Sequence, residues 1–270
     1  MIVLCTGSRI RLVRQVDHQA QCGVMARAWG NEVFRRPEPY DALIDAADCH
    51  DEGWRGQDSV PHIDATGMPV NFRDLERAIH APMYELGIAE AVVRGAHVGL
   101  LASMHGQGLY EKRMGLDGTC PPRDARPNYE LAFLRDQERL QAELRAHIGD
   151  SDELRAWAWA AYRILQAWDV LSLYVCWNGL AEGREWTLPQ VPRAVGDNGI
   201  DIRVCARDAR TCTVDPWPFT ADKVDLSVPV RWIDEHAYAS DAELGAAVDA
   251  AEQELLPLAA IPGARTDAVR

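Results

Sequence analysis

Apolar positions recur at the three- and four-residue spacing of amphipathic helices through the first two thirds of the chain and give way to alternation in the last third. Residues 2–16 hold short β-branched runs around Gly7 and Ser8 and predict one or two short strands. Helices are predicted over 18–29, capped by Asp17 and stopped by Gly30 and Asn31, and over 41–51, ended by Gly53. Two more cover 73–86 and 88–109, separated at Gly87, and another covers 129–148. Gly149, Asp150 and Ser151 then break the chain before a long apolar helix over 152–177. The Pro/Gly-rich stretches 56–71 and 114–127 read as loops, the first long enough to wall a site. Beyond Arg184, strands are predicted at 200–206, 211–219 and 224–233, and Ser240 caps a last helix running to about Leu256. The expected class is mainly α: a helical bundle over residues 1–182 and a smaller β-rich portion with a final helix over 183–270, packed together as one unit.

Composition narrows the function classes. The 270 residues are 47% hydrophobic and 26% charged, as in an ordinary folded domain. Lys and Arg number 28 against 41 Asp and Glu, a net charge of -13 with no basic block to track a phosphate backbone, so nucleic acid is not an expected partner. No apolar run spans a bilayer, and Arg9 and Arg11 interrupt the opening MIVLC too soon for a signal peptide. The expectation is a cytoplasmic protein that acts on a small molecule, without a membrane partner; a homodimer is compatible with this. Seven scattered cysteines without a CxxC pair read as reduced thiols rather than a disulfide framework or zinc ribbon.

The histidines carry more information, because His18, His50, His80, His97 and His105 all fall in the helical first part. His50 and Asp51 are adjacent in DCHDEGW. Neighbouring helical side chains diverge, so both can reach one ion only where the helix ends, and Gly53 supplies that ending. An imidazole with a carboxylate suits Fe, Mn, Co or Zn. Asp169 lies in the otherwise apolar ILQAWDVLSLYVCW, where an ionised carboxylate needs a partner. That partner is either an arginine such as Arg163 or Arg14, or a metal ion.

The order His18, His50-Asp51, Asp169 along helical segments resembles the HD-domain superfamily of metal-dependent enzymes, over roughly residues 10–180. The strings HDEGW, SMHGQGLY, DPWPF and VPVR look like a bacterial branch of that superfamily. The resemblance implies an HD-type helical bundle in which His18, His50, Asp51 and Asp169 hold one divalent metal and Asp51 bridges to a second. Two-metal members add two histidines, for which His80 and His105 are placed here, making two ions per chain, Fe or Mn first, with Zn or Co as alternatives. His97 competes with His105 from about two turns earlier on the same helical stripe; Gly106 and Gly108, where a ligand can approach the backbone closely, favour His105. Many HD enzymes carry a lysine three residues after the Asp, and here that place is Trp54, followed by Arg55. Arg55, Arg73 or Arg94 must then supply the anion-binding charge.

These readings predict a dinuclear metal-dependent hydrolase of a small phosphoester-like metabolite, attacking through a metal-bound hydroxide. His50, Asp51 and Arg55 are the expected catalytic groups, and Trp54, His97 and Arg73 the expected substrate contacts. The same ligand order also occurs in mixed-valent diiron oxygenases of the superfamily that cleave C–C or C–P bonds, which is the alternative expectation. A non-enzymatic metal-containing sensor is the third.

Overall fold

The longest apolar stretch becomes the axis of the molecule. In the computed structural model, which describes residues 1–177 and 180–263, Asp152–Trp177 forms one continuous helix. Ser151 Oγ accepts from the Leu154 amide at 3.2 Å and opens it, as a serine at an N-cap does. It is apolar nearly all round, which demands burial on every side. In chain order the helices are α1 (Gln15–Ala28), α2 (Tyr40–Ala47), α3 (Trp54–Ser59), α4 (Arg77–Arg94), α5 (Ala96–Tyr110), α6 (Asn128–Ile148), α7 (Asp152–Trp177) and α8 (Asp241–Ala250). Helix α7 packs between α1, α5 and the C-terminal strands. Helix α6 is amphipathic and buries one stripe, Phe133, Leu134, Gln137, Gln141 and Leu144, toward α5 and α4.

The mainly α expectation is overturned: 49% of the chain is helical and 20% is strand, the latter arranged in two multi-stranded sheets. The strands are β1 (Ile2–Cys5), β2 (Arg9–Val13), β3 (Glu185–Val191), β4 (Ile200–Asp208), β5 (Thr211–Asp215), β6 (Val224–Asp225), β7 (Val228–Asp234), β8 (Gln253–Leu256) and β9 (Ala259–Pro262). The first sheet, order β1-β2-β7-β8, is antiparallel throughout; Leu12 opposes Arg231 and Val228 opposes Leu256. The second, order β3-β4-β5-β9-β6, contains one parallel pair, in which Cys212 stands opposite Ala260. The first sheet thus joins both ends of the chain, a pairing that local periodicity does not record. Buried Arg11 on β2 ties this sheet to α7 by donating to the Cys176 carbonyl at 2.6 Å.

Further boundaries differ from expectation: α3 reaches into the predicted loop 56–71, the 211–219 strand stops at Asp215, and 224–233 is split between the two sheets. The helix capped by Ser240, whose hydroxyl accepts from Glu243 N at 3.2 Å, ends at Ala250 instead of near Leu256. The following segment pairs with β7 instead, and Pro257 could not have continued a helix. Gly87 does not separate two helices; α4 runs through it and breaks at Gly95. Gly87 is needed for contact: a Cβ there would lie 2.5 Å from the Gly53 nitrogen, and one on Gly53 would lie 2.2 Å from the Met83 carbonyl oxygen. Two backbones touch at this point, and the turn carrying His50 and Asp51 is pressed onto α4.

Candidate metal centre

Four side chains from three elements converge. His18 comes from α1, His50 and Asp51 from the turn after α2, and Asp169 from the middle of α7; one ligand atom from each lies within 4.8 Å of the others, all buried. His18 Nε2 is 3.3 Å from Asp51 Oδ2 and 3.2 Å from Asp169 Oδ1. His50 Nε2 is 3.9 Å and 3.8 Å from the same two oxygens. Gln19, beside His18, clamps the turn: its Oε1 accepts from Asp51 N at 2.6 Å and its Nε2 donates to Asp48 O at 2.7 Å.

Hydrogen bonds behind the ligands set their tautomers. His50 Nδ1 faces the Ala47 carbonyl at 3.1 Å, so it carries the proton and Nε2 keeps its lone pair. His18 Nδ1 lies 2.7 Å from Ser172 Oγ, whose own hydrogen goes to Gln21 Oε1 at 2.5 Å or to His18 O at 3.0 Å. The hydroxyl can therefore only accept from His18, and this Nε2 also points forward with a lone pair. Both Nε2 atoms are buried without a hydrogen-bond partner. Unpaired imidazole nitrogens facing two carboxylates make a donor set that a borderline divalent cation satisfies.

Electrostatics agree with that assignment. Burial opposes ionisation of Asp51, yet His50, His105 and His18 hold it well below the usual carboxylate range. Asp169 is held down likewise by Arg113, His18 and His50. Burial alone would lower the His18 imidazole, but its contacts with Asp169 and Asp51 push it up to about 9, so without metal Nε2 holds a proton that a bound cation would displace to use the lone pair. The buried carboxylates thus demand positive charge at the point where the lone pairs meet. Cys22, which groups with His18 and His50, is kept a neutral thiol by burial and the same carboxylates.

Asp169 does have an arginine partner, but it is neither Arg163 nor Arg14. Arg163 donates to the carbonyls of Asn198, Asp197 and Gln190, and Arg14 pairs with Asp17. Arg113 Nη1 reaches Asp169 Oδ2 at 2.6 Å, leaving Oδ1 facing the histidines. It hangs from three consecutive residues in the left-handed region, Lys112, Arg113 and Met114, with φ of 51, 52 and 54°. Such a run costs roughly 1–2 kcal/mol per residue and persists only where its surroundings impose it.

The remaining expected residues occupy different places. His105 Nε2 is 3.3 Å from Asp51 Oδ1. Arg113 donates to Gln166 Oε1, so the Gln166 amide donates to His105 Nδ1 at 3.0 Å and the His105 proton lies on Nε2, which, like His18 and His50 Nε2, is buried without a hydrogen-bond partner. Tyr84 donates to the same Asp51 Oδ1 at 2.5 Å and accepts from Trp54 Nε1 at 2.9 Å. His80 is not among the converging four; it packs on Tyr84 with ring centroids 4.5 Å apart and its Nδ1 is 2.8 Å from Tyr110 OH. Burial and Arg77 push its pKa down to about 4. His97 lies away from the centre, edge-on to Trp157 at 5.0 Å. Arg55 is exposed and pairs with Glu52, and Arg73 lines the chamber above the ligands. Tyr84, Arg113, Gln166 and Ser172 are the residues that sequence reasoning missed; the only signal was that Gln166 and Ser172 share the apolar helix with Asp169.

A chamber of ≈ 220 Å³ opens onto Asp51, Asp169 and His105, walled by Trp54, His80, Tyr84, Arg73 and Arg77. None of the described helices is long and apolar enough to cross a membrane. A family model described as a protein of unknown function, DUF3891, matches residues 1–235. Searches of curated proteins and of solved structures return no match.

Proposed function

We propose that this chain, which belongs to the DUF3891 family, is a metal-dependent hydrolase of small anionic esters. Its centre is read as HD-like, with one divalent ion held by His18, His50, Asp51 and Asp169. The observation that carries this reading is the pair of buried, unpartnered Nε2 atoms facing two ionised carboxylates beneath an open chamber. Structural metal sites are more often closed sets of Cys and His, whereas His/Asp sets with spare positions suit catalysis. A bound ion supplies Lewis-acid polarisation of an ester oxygen and a nucleophilic water at neutral pH.

The chain's own residues do the rest. Arg73 and Arg77 line the chamber, resting on the Trp177 and Tyr110 rings, and make no ion pair with a carboxylate among the described residues, so their charges are available to neutralise an incoming anion. They take the role that the resemblance gives to the lysine replaced here by Trp54. His80 is held neutral, with a pKa of about 4, on the chamber wall with its Nδ1 paired to Tyr110 OH at 2.8 Å. Tyr84 O–H donates to Asp51 Oδ1 and fixes that carboxylate, with His105 Nε2 3.3 Å from the same oxygen. Because this oxygen is already engaged, a bridge to a second ion requires Tyr84 to move, which favours one-ion hydrolysis over a diiron oxygenase.

Elemental analysis of protein prepared without chelator, combined with turnover of a phosphomonoester panel, tests the reading. One divalent ion per chain with hydrolysis is expected, and Asp51→Ala should remove both together. Two coupled irons with a mixed-valent spin signal would replace this reading by the oxygenase, and the absence of stoichiometric metal would end it.

A further inference from the structure

A second cavity, ≈ 310 Å³, adjoins the chamber and shares Phe72, Arg73 and Leu173 with it. Its wall has a different chemistry. Tyr174 and Trp186 meet edge to face with centroids 5.5 Å apart, and Phe72 meets Trp177 at 5.8 Å. Arg73 stands at the junction with its guanidinium 4.6 Å from the Trp177 ring centroid. In a chain of net charge -13, this arginine and Arg77 make no ion pair with a carboxylate among the described residues.

We propose that the aromatic cavity is the subsite for a flat, apolar organic group of the substrate, while Arg73 and Arg77 hold the anionic ester group at the metal side. The substrate class is then an aryl-bearing phosphoester rather than a short alkyl one. Four aromatic rings offer faces and edges to a planar group, and such contacts carry geometric preference beyond area burial. A cationic group, the other guest of aromatic cages, is disfavoured because Asp117 on this wall is already paired with Arg113 at 3.0 Å, while Arg73 makes no ion pair with a carboxylate among the described residues. The continuity of the two cavities at Phe72 and Arg73 allows one ligand to span both. For the bond that is cleaved the inference rests on the hydrolase reading; for binding it does not.

The test uses metal-loaded full-length protein and two non-hydrolysable probes, 2-naphthylmethylphosphonate and methylphosphonate, titrated by calorimetry. The naphthyl probe is expected to bind about tenfold tighter or more. Trp177→Leu and, as a second variant on a different element, Trp186→Leu should each move that ratio toward one, while Arg73→Gln weakens both probes. Equal affinities, or a ratio preserved in both tryptophan variants, would overturn the subsite. Preferential naphthyl binding without turnover of 2-naphthyl phosphate would keep the subsite and remove the hydrolase reading. Equal kcat/KM for 2-naphthyl and n-butyl phosphates would do the reverse.

Discussion

Arg113 donates from Nη1 to the outer oxygen of Asp169 across 2.6 Å, while the inner oxygen of that carboxylate faces His18 at 3.2 Å. One carboxylate is therefore shared between a permanent cation and the position where a metal ion fits. The sharing sets how the apoprotein and the loaded protein differ.

Removing the cation makes that difference measurable. Arg113→Met leaves two ionised, buried carboxylates compensated only by imidazoles, and loss of one partner of a buried pair costs about 3–5 kcal/mol. The apoprotein should melt well below wild type, and added divalent metal should recover more of the loss than it adds to wild type. Thermal melts with and without metal check this; an equal drop in both states would mean that Arg113 does not neutralise the clustered carboxylates.

Tyr84→Phe tests why one ion is expected. The substitution frees Asp51 Oδ1 from its 2.5 Å partner and leaves the Trp54 N–H without an acceptor. Bound metal should rise from about one toward two equivalents, with His80 and His105 as the new imidazole donors. Wild-type protein already saturating at two would show instead that the hydroxyl yields to a second ion.

Gly87→Ala probes the seat of the His50-Asp51 turn. Its Cβ would fall 2.5 Å from Gly53 N, a backbone atom that cannot swing aside. Overpacking of this kind costs about 1–3 kcal/mol, and because the displaced atoms carry ligands, metal affinity should fall along with stability. Denaturation and metal titration on the same samples check the pairing; weakened folding with unchanged metal affinity would place the ligand turn outside the contact's influence.

Among these residues the four that cluster as candidate ligands were legible in the sequence and their supports were not. His18, His50-Asp51 and Asp169 announce themselves by residue type and order, and the 26-residue helix that carries Asp169 has the bounds its apolar run predicts. Gly87 was misread because a glycine that relieves a contact looks, in sequence, like one that ends a helix. Arg113 was invisible because Lys112–Met114 adopts a left-handed run without a glycine or asparagine to mark it. Strands β8 and β9 were lost because their partners lie far away in the chain and their composition permits helix. Tyr84 acquires its role only when α4 is pressed onto the turn.

The pH dependence of stability follows from His80. Burial and Arg77 hold its folded pKa at about 4, below the ordinary value of 6.5, so the unfolded chain binds this proton first. The stabilisation is complete above 6.5 and is lost as pH falls toward about 4, at about 1.4 kcal/mol per pH unit at the steepest. His80→Gln should flatten this part of the profile, measured as urea midpoints at pH 7 and 5. An unchanged slope would assign the acid sensitivity to other groups.

Helix α7 carries both Asp169 and Trp177, so the separation of the candidate metal centre and the aromatic wall is a matter of helical phase. Eight residues advance about 12 Å along the axis and just over two turns around it. Neither end can change address alone: one residue inserted between them would rotate Trp177 by about 100° about the axis relative to Asp169. For a ligand spanning the two cavities as proposed, the helix would act as a ruler, its residues counting the length that fits.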